Sequence, residues 1–113
     1  MLLQGYGEGG FRAAGKRLEG SHIIFSVNAI PWAVTSLEEI TLESLGAVIA
    51  KSAEIDILIV GCGVDFQPIP DALKEGLKEH GIVLEWMDTG AACRTFNVLL
   101  VEERPVAAAL LAV

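Results

Sequence analysis

One short stretch limits what this chain can fold into more than any other. Ile55 to Val60 is apolar at every position except Asp56, and Gly61-Cys62-Gly63 ends it abruptly. A strand with one face in water alternates apolar and polar residues, whereas one covered on both sides reads as a continuous apolar run. The run therefore predicts a central strand buried beneath layers on both faces. Its surroundings agree. Leu42, Leu45 and Ile49, with Val48 beside them, fall on one helical face, so a helix is expected near 42–53, with Thr41 as its cap. Pro70 suits a first helical position. Leu73 and Leu77 face inward while Lys74, Glu75, Lys78 and Glu79 face water, giving a helix near 70–80. Gly81 is placed to end it in the left-handed conformation, with Ile82 folding back on Leu77. Ile82 to Trp86 is the next strand. Strands alternating with helices imply parallel neighbours joined by crossovers, an α/β architecture.

The first third follows a different period. Gly5, Gly7, Gly9 and Gly10 make the opening flexible or turn-rich. Arg12 to Ala14 and Arg17 to Leu18 flank a tight turn at Gly15-Lys16. Ser21 to Val27 alternates as a strand, Asn28 to Pro31 forms a turn or bulge, and Trp32 to Val34 forms a short strand. An N-terminal β-meander is the expectation. Two segments near the other end stay ambiguous. Thr89 is able to cap a helix reaching about Glu102, yet Phe96 to Val101 reads equally well as a buried strand. Val106 to Val113 is helical by its Ala/Leu propensity and strand-like by its length and continuity.

At 113 residues the chain is expected to form a single domain over 1–113. Its 52% hydrophobic content and mean hydropathy of +0.51 suggest strands buried on both faces or an apolar surface used for association. Fifteen acidic residues against eight basic ones repel a polyanion, so nucleic acid is disfavoured as a partner. The longest apolar run, Val106 to Val113, is far below the roughly 20 residues of a spanning helix, so no membrane insertion is expected. The opening Met-Leu-Leu-Gln-Gly-Tyr-Gly lacks the charged start and long apolar stretch of a signal peptide. A cytoplasmic bacterial chain or a processed mitochondrial form is the expectation. Cys62 and Cys93 form neither a CxxC pair nor a cluster with histidine, so no metal or cofactor site is indicated.

Three features are candidate sites. Gly61-Cys62-Gly63 follows a strand as a phosphate-binding turn would, but Phe66 stands where a third glycine is needed and the next helix starts late. Two glycines that merely let the backbone turn are the simpler account. Cys93 lies near a possible helix start beside Arg94, and both features favour a thiolate. No base is nominated, since neither His22 nor His80 is placed for it, so Cys93 reads as a small core residue. Asp88, Thr89, Arg94, Thr95 and Asn97 form a polar cluster after a strand end, where open α/β sheets bind ligands. Helix capping by Asp88 or Thr89 and a structural ion pair are the simpler account. In that case Arg94 should be held by Asp88, by Glu85 or by loop carbonyls.

The glycine-rich opening from Gly5 to Arg12, the Gly61-Cys62-Gly63 turn, the segment Ala92 to Leu99, and Val106 to Leu110 after Arg104-Pro105 together resemble the Mth-type domain family of unknown function. The resemblance implies a three-layer α/β fold around a mixed, largely parallel central sheet, with helices on its faces. It also implies a helix near 90–102 and a final strand. The family includes a mitochondrial complex I assembly factor and offers no established catalytic residues. The resulting expectation is a non-catalytic protein-binding module with an unidentified protein partner, aiding assembly of a membrane complex. The alternative is a small-ligand-binding protein or enzyme whose site lies between Gly61–Gly63 and the Asp88–Asn97 cluster.

Overall fold

The computed structural model describes residues 1–113. Strands β1 (Leu3–Gly7), β2 (Gly10–Ala13) and β3 (Lys16–Glu19) form a small antiparallel sheet in that order. Both its turns are two residues long, at Glu8-Gly9 and Ala14-Gly15, and all four residues have positive φ. Such turns match the twist of the strands they join. The second falls one residue before the expected Gly15-Lys16. The opening is thus a strand rather than a flexible lead.

A second sheet holds β4 (His22–Ile24), β5 (Ala29–Pro31), β6 (Ile57–Gly61), β7 (Val83–Met87) and β8 (Val106–Leu110), in the order β5-β4-β8-β6-β7. β8, β6 and β7 run parallel, and β4 is antiparallel to both its neighbours. The expected meander is therefore divided between two sheets. β4 is shorter than Ser21–Val27, because the Phe25 amide turns to donate to the Asn28 carbonyl at 2.7 Å. Its partner is Ala29–Pro31, not Trp32–Val34. Proline lacks a donor, and here it sits on an edge strand, where that loss is tolerated. Trp32 and Val34 instead bury their side chains in the core, with the Trp32 indole N–H donating to Ser44 O at 2.8 Å.

The continuous apolar strand behaves as its composition demands. Leu58 and Val60 of β6 enter a core of 19 buried residues on one face, while Ile59 enters a core of 11 on the other. β8 divides likewise, Ala107 and Ala109 one way, Val106, Ala108 and Leu110 the other. The register places Leu58, Ile59 and Val60 beside Ala107, Ala108 and Ala109, large against small. That fit is why an alanine-rich segment forms a strand against its intrinsic helical preference. β4 contributes Ile23 to the first core and Ile24 to the second.

Helix α1 (Gly46–Ala50) is short and flanked by 3-10 turns at Glu43–Leu45 and Ser52–Glu54, so the helix expected over 42–53 is broken. Thr41 does not cap α1, whose N-cap is Leu45; its hydroxyl instead accepts from the Ser44 amide at 3.1 Å within the preceding 3-10 turn. Helix α2 (Asp71–Glu79) brings Leu73 and Leu77 into the larger core, with Pro70 one position before the first helical residue. It ends as expected. Gly81 has φ +77°, and the Ile82 amide reaches back to Leu77 O at 3.0 Å. Helix α3 (Thr89–Val101) brings Ala92, Cys93 and Phe96 into the smaller core, resolving that segment as helix. The chain thus has three layers, α1 and α2 on one face of the main sheet, α3 and the small sheet on the other. The crossover from β6 to β7 and the return from β7 to β8 step in opposite directions, so crossovers of one hand place their helices on opposite faces.

Candidate functional site

Connections from β6 and β7 leave for opposite faces of the sheet. In open α/β folds that divergence opens a ligand crevice at the carboxyl ends of the strands. Here the crevice is stitched shut. The Cys62 amide donates to Met87 O at 2.8 Å and the Thr89 amide to Gly63 O at 2.9 Å. The Gly63 amide donates to Thr89 Oγ1 at 3.1 Å, and that hydroxyl donates to Leu111 O at 2.8 Å. Thr89 is fully buried and so joins the carboxyl ends of β6, β7 and β8 through one side chain.

Glycine at 61 is required for this closure. A Cβ there would lie 2.9 Å from Thr89 Cα and 3.1 Å from Leu110 Cδ2. Gly63 has φ +112°, a region that side chains disfavour. Cys62 is buried, its thiol 3.5 Å from Asp65 O. Asp88, rather than Thr89, caps α3, accepting from the Ala91 amide at 2.9 Å. The amides of Cys62, Gly63, Thr89 and Ala91 are thus committed to the protein itself.

The rest of the polar cluster lies away from that seam. Asn97 clamps β1 to α3, its amide oxygen accepting from Leu3 N and its nitrogen donating to Leu3 O, both at 2.8 Å. The side chain thus imitates a neighbouring strand. Thr95 is half-buried on α3. Arg94 is exposed, with no carboxylate within 4.0 Å, so the ion pair expected with Asp88 or Glu85 is not formed. Its Nη1 instead donates to the Tyr6 hydroxyl at 3.4 Å. A recess of about 180 Å³ lies between β1 and α3, lined by Tyr6, Cys93, Arg94 and Asn97 among others. Cys93 is buried, and burial pushes its thiol up to about 12, with Arg94 only partly opposing the shift. His22 is buried against Phe11, with Nδ1 3.0 Å from Gly20 O, and His80 lies exposed at the end of α2.

Sequence reasoning missed Tyr6 and Gly90. A Cβ at Gly90 would come 2.7 Å from the Tyr6 hydroxyl, so the glycine leaves room for the tip of the Tyr6 side chain over the start of α3. A glycine in the first turn of a helix was the available signal. Beyond the Arg94 recess, Leu2, Val98 and Val101 are 48%, 57% and 69% exposed, and they border a shallow groove of about 520 Å³ along α3 and β1. No helix is long and apolar enough to cross a membrane.

A three-layer α/β domain with its sheet crevice closed by a buried threonine is a class of fold, and comparison supplies the family. Residues 3–111 match the model for a protein of unknown function, DUF498/DUF598, and the chain belongs to that family. It is 33% identical over 111 residues to the NADH dehydrogenase [ubiquinone] 1 alpha subcomplex assembly factor 3 of Xenopus tropicalis, covering 98% of this chain and 61% of that protein. The chain therefore spans about three-fifths of the length of that relative. A crystal structure described as an outer membrane protein from Bartonella henselae superimposes with TM-score 0.91 at 40% identity, over 97% of this chain and 92% of that one. A Mth938-like domain from Bordetella pertussis superimposes with TM-score 0.85 at 24% identity, over 97% and 84%, and shares the fold.

Proposed function

We propose that this chain is a non-catalytic protein-binding module that aids assembly of a membrane complex, and that it docks through the β1–α3 face. The observation that carries this reading is the apolar surface of Leu2, Val98 and Val101 along the groove there. α3 turns Ala92, Cys93 and Phe96 inward and so has no structural need for valines on its outer side. Exposed apolar groups gathered along one groove favour association. Kinship to a protein named as a complex I assembly factor supplies the class of partner. The groups of the sheet crevice are spent on one another, which also favours binding over catalysis.

The test is a photo-crosslinking residue at position 98 in the native organism. A crosslink to a subunit of a membrane complex is expected, together with impaired assembly in a Val98→Glu/Val101→Glu variant whose melting is unchanged. Normal assembly with that variant would remove the docking face from the proposal.

One observation favours a second reading. Arg94 stands uncompensated in the recess beside Tyr6, as a guanidinium awaiting an anionic small ligand would. Stabilisation by phosphate that Arg94→Lys abolishes, with the ligand-free melt unchanged, is the result that reading requires.

A further inference from the structure

At the opposite end of the main sheet, where β6 and β8 begin, a separate cleft of about 180 Å³ lies between three segments distant in sequence. The loop after β4 brings Phe25 to Val27, the 3-10 turn before β6 brings Lys51 and Glu54, and the turn before β8 brings Arg104 and Pro105. Its apolar lining includes the buried residues Phe25, Ile55 and Val106. Two of the chain's eight basic residues stand at its rim.

Neither cation is neutralised. The chain's one ion pair joins Arg17 to Glu19, so Lys51 and Arg104 have no carboxylate within 4.0 Å. The Lys51 ammonium lies over the Phe25 ring, 4.3 Å from its centroid, an arrangement that positions a cation without consuming its hydrogen-bond donors. The walls are fixed from behind. Pro105 O accepts from the amides of Asp56 and Ile57 at 2.9 and 3.2 Å, and the Arg104 amide donates to Leu99 O at 3.0 Å. The backbone near the cations is thus set before any ligand arrives.

From this arrangement we infer that the cleft binds a short-chain monocarboxylate. The guanidinium of Arg104 offers paired donors matched to a carboxylate, and Lys51 adds a second charge. Glu54 and the Met1 ammonium, which donates to Ser26 O on the same wall, offset one another, so it is the apolar floor that favours a carboxylate bearing a hydrocarbon tail over phosphate. The apolar floor takes the hydrocarbon. The volume equals that of about six waters at roughly 30 Å³ each, the scale of a four-carbon acid. This inference is independent of the docking face, which lies along the outer side of α3.

Butyrate, its neutral counterpart butyramide, and inorganic phosphate serve as probes, each titrated into labelled protein at constant ionic strength while amide resonances are followed. Saturable shifts at Ser26, Val27, Lys51 and Val106 are expected with butyrate, weaker with phosphate, and absent with butyramide. Arg104→Gln should weaken butyrate binding roughly tenfold, the size of one charge-assisted hydrogen bond lost. Lys51→Gln should weaken it as well, and Lys78→Gln, which removes the same charge from the exposed side of α2, should not. Melting curves verify that each variant is folded. Equal binding of butyramide, phosphate binding as tight as butyrate, undiminished binding by Arg104→Gln, or no saturable shift at these residues would each overturn the assignment.

Discussion

Cys93 shows how two local cues are overruled by position. Its place in the first turns of α3 and its neighbour Arg94 both favour a thiolate, yet the side chain lies in the smaller core and its ionisation is pushed up to about 12. A thiol whose folded value exceeds its unfolded value near 9 holds its proton longer in the native state. The stabilisation is therefore complete below pH 9 and is lost as pH rises toward 12. Each unit in that window costs up to about 1.4 kcal/mol. Urea melts from pH 8 to 11 should show this loss, and Cys93→Ala should flatten it. Alkylation at neutral pH should be slow in the native protein. Rapid modification that falls when Arg94→Ala is made would show that activation prevails over burial. Glu39 shows the opposite shift. Hydrogen bonds from the Thr35 backbone and hydroxyl, then from Ser36, hold its carboxyl below the usual range although it is exposed. The amide resonances of Thr35 and Ser36 should therefore titrate together below pH 4.5, and a midpoint at or above that value would refute the link.

Among the elements, the seam between β6, β7 and β8 depends on one hydroxyl. Thr89→Val keeps the shape of the side chain but strands the Gly63 amide and the Leu111 carbonyl, at about 1–3 kcal/mol for each buried group. Thr89→Ser keeps the hydroxyl and should cost clearly less. Gly61→Ala must displace Thr89 or Leu110 and should cost about 1–3 kcal/mol by overpacking. If urea melts find Thr89→Val no worse than Thr89→Ser, the hydroxyl is not what closes the seam. The elements most legible in the sequence were those whose pattern is local. The apolar run of β6, the stripe of α2 and the Gly81 ending each follow from neighbours within a few residues. β1 and β5 were hidden because glycine and proline read as breakers, and only long-range pairing makes strands of them. The site was legible in part for the same reason. Gly61, Gly63 and Asp88 announce turns and caps, whereas Thr89 meeting Leu111 and Asn97 meeting Leu3 arise from contacts that no local pattern encodes.

At the scale of the molecule, two cores share one sheet. β4, β6 and β8 each send alternate side chains to opposite faces, so loss of one core removes half the burial that holds those strands in place. Separate unfolding of the layers would leave the apolar face of a five-stranded sheet in water. The chain should therefore behave as one cooperative unit. Both tryptophans, Trp32 and Trp86, lie in the larger core, which gives this expectation a clean readout. Phe96→Ala removes a fully buried ring from the smaller core and should cost about 3–5 kcal/mol. Leu77→Ala damages the larger core and should cost about 2–5 kcal/mol. Losses of this size consume much of the roughly 5–15 kcal/mol that a domain possesses. In Phe96→Ala the mutated side chain and the fluorescent reporters stand on opposite faces of the sheet. If the sheet couples the cores, tryptophan fluorescence and far-ultraviolet circular dichroism must give one shared, lowered midpoint. A fluorescence transition left at the wild-type midpoint while the dichroism moves, or a biphasic melt, would mean that the layers unfold separately. The coupling predicts coincidence in both variants, because every path from one core to the other runs through the shared strands.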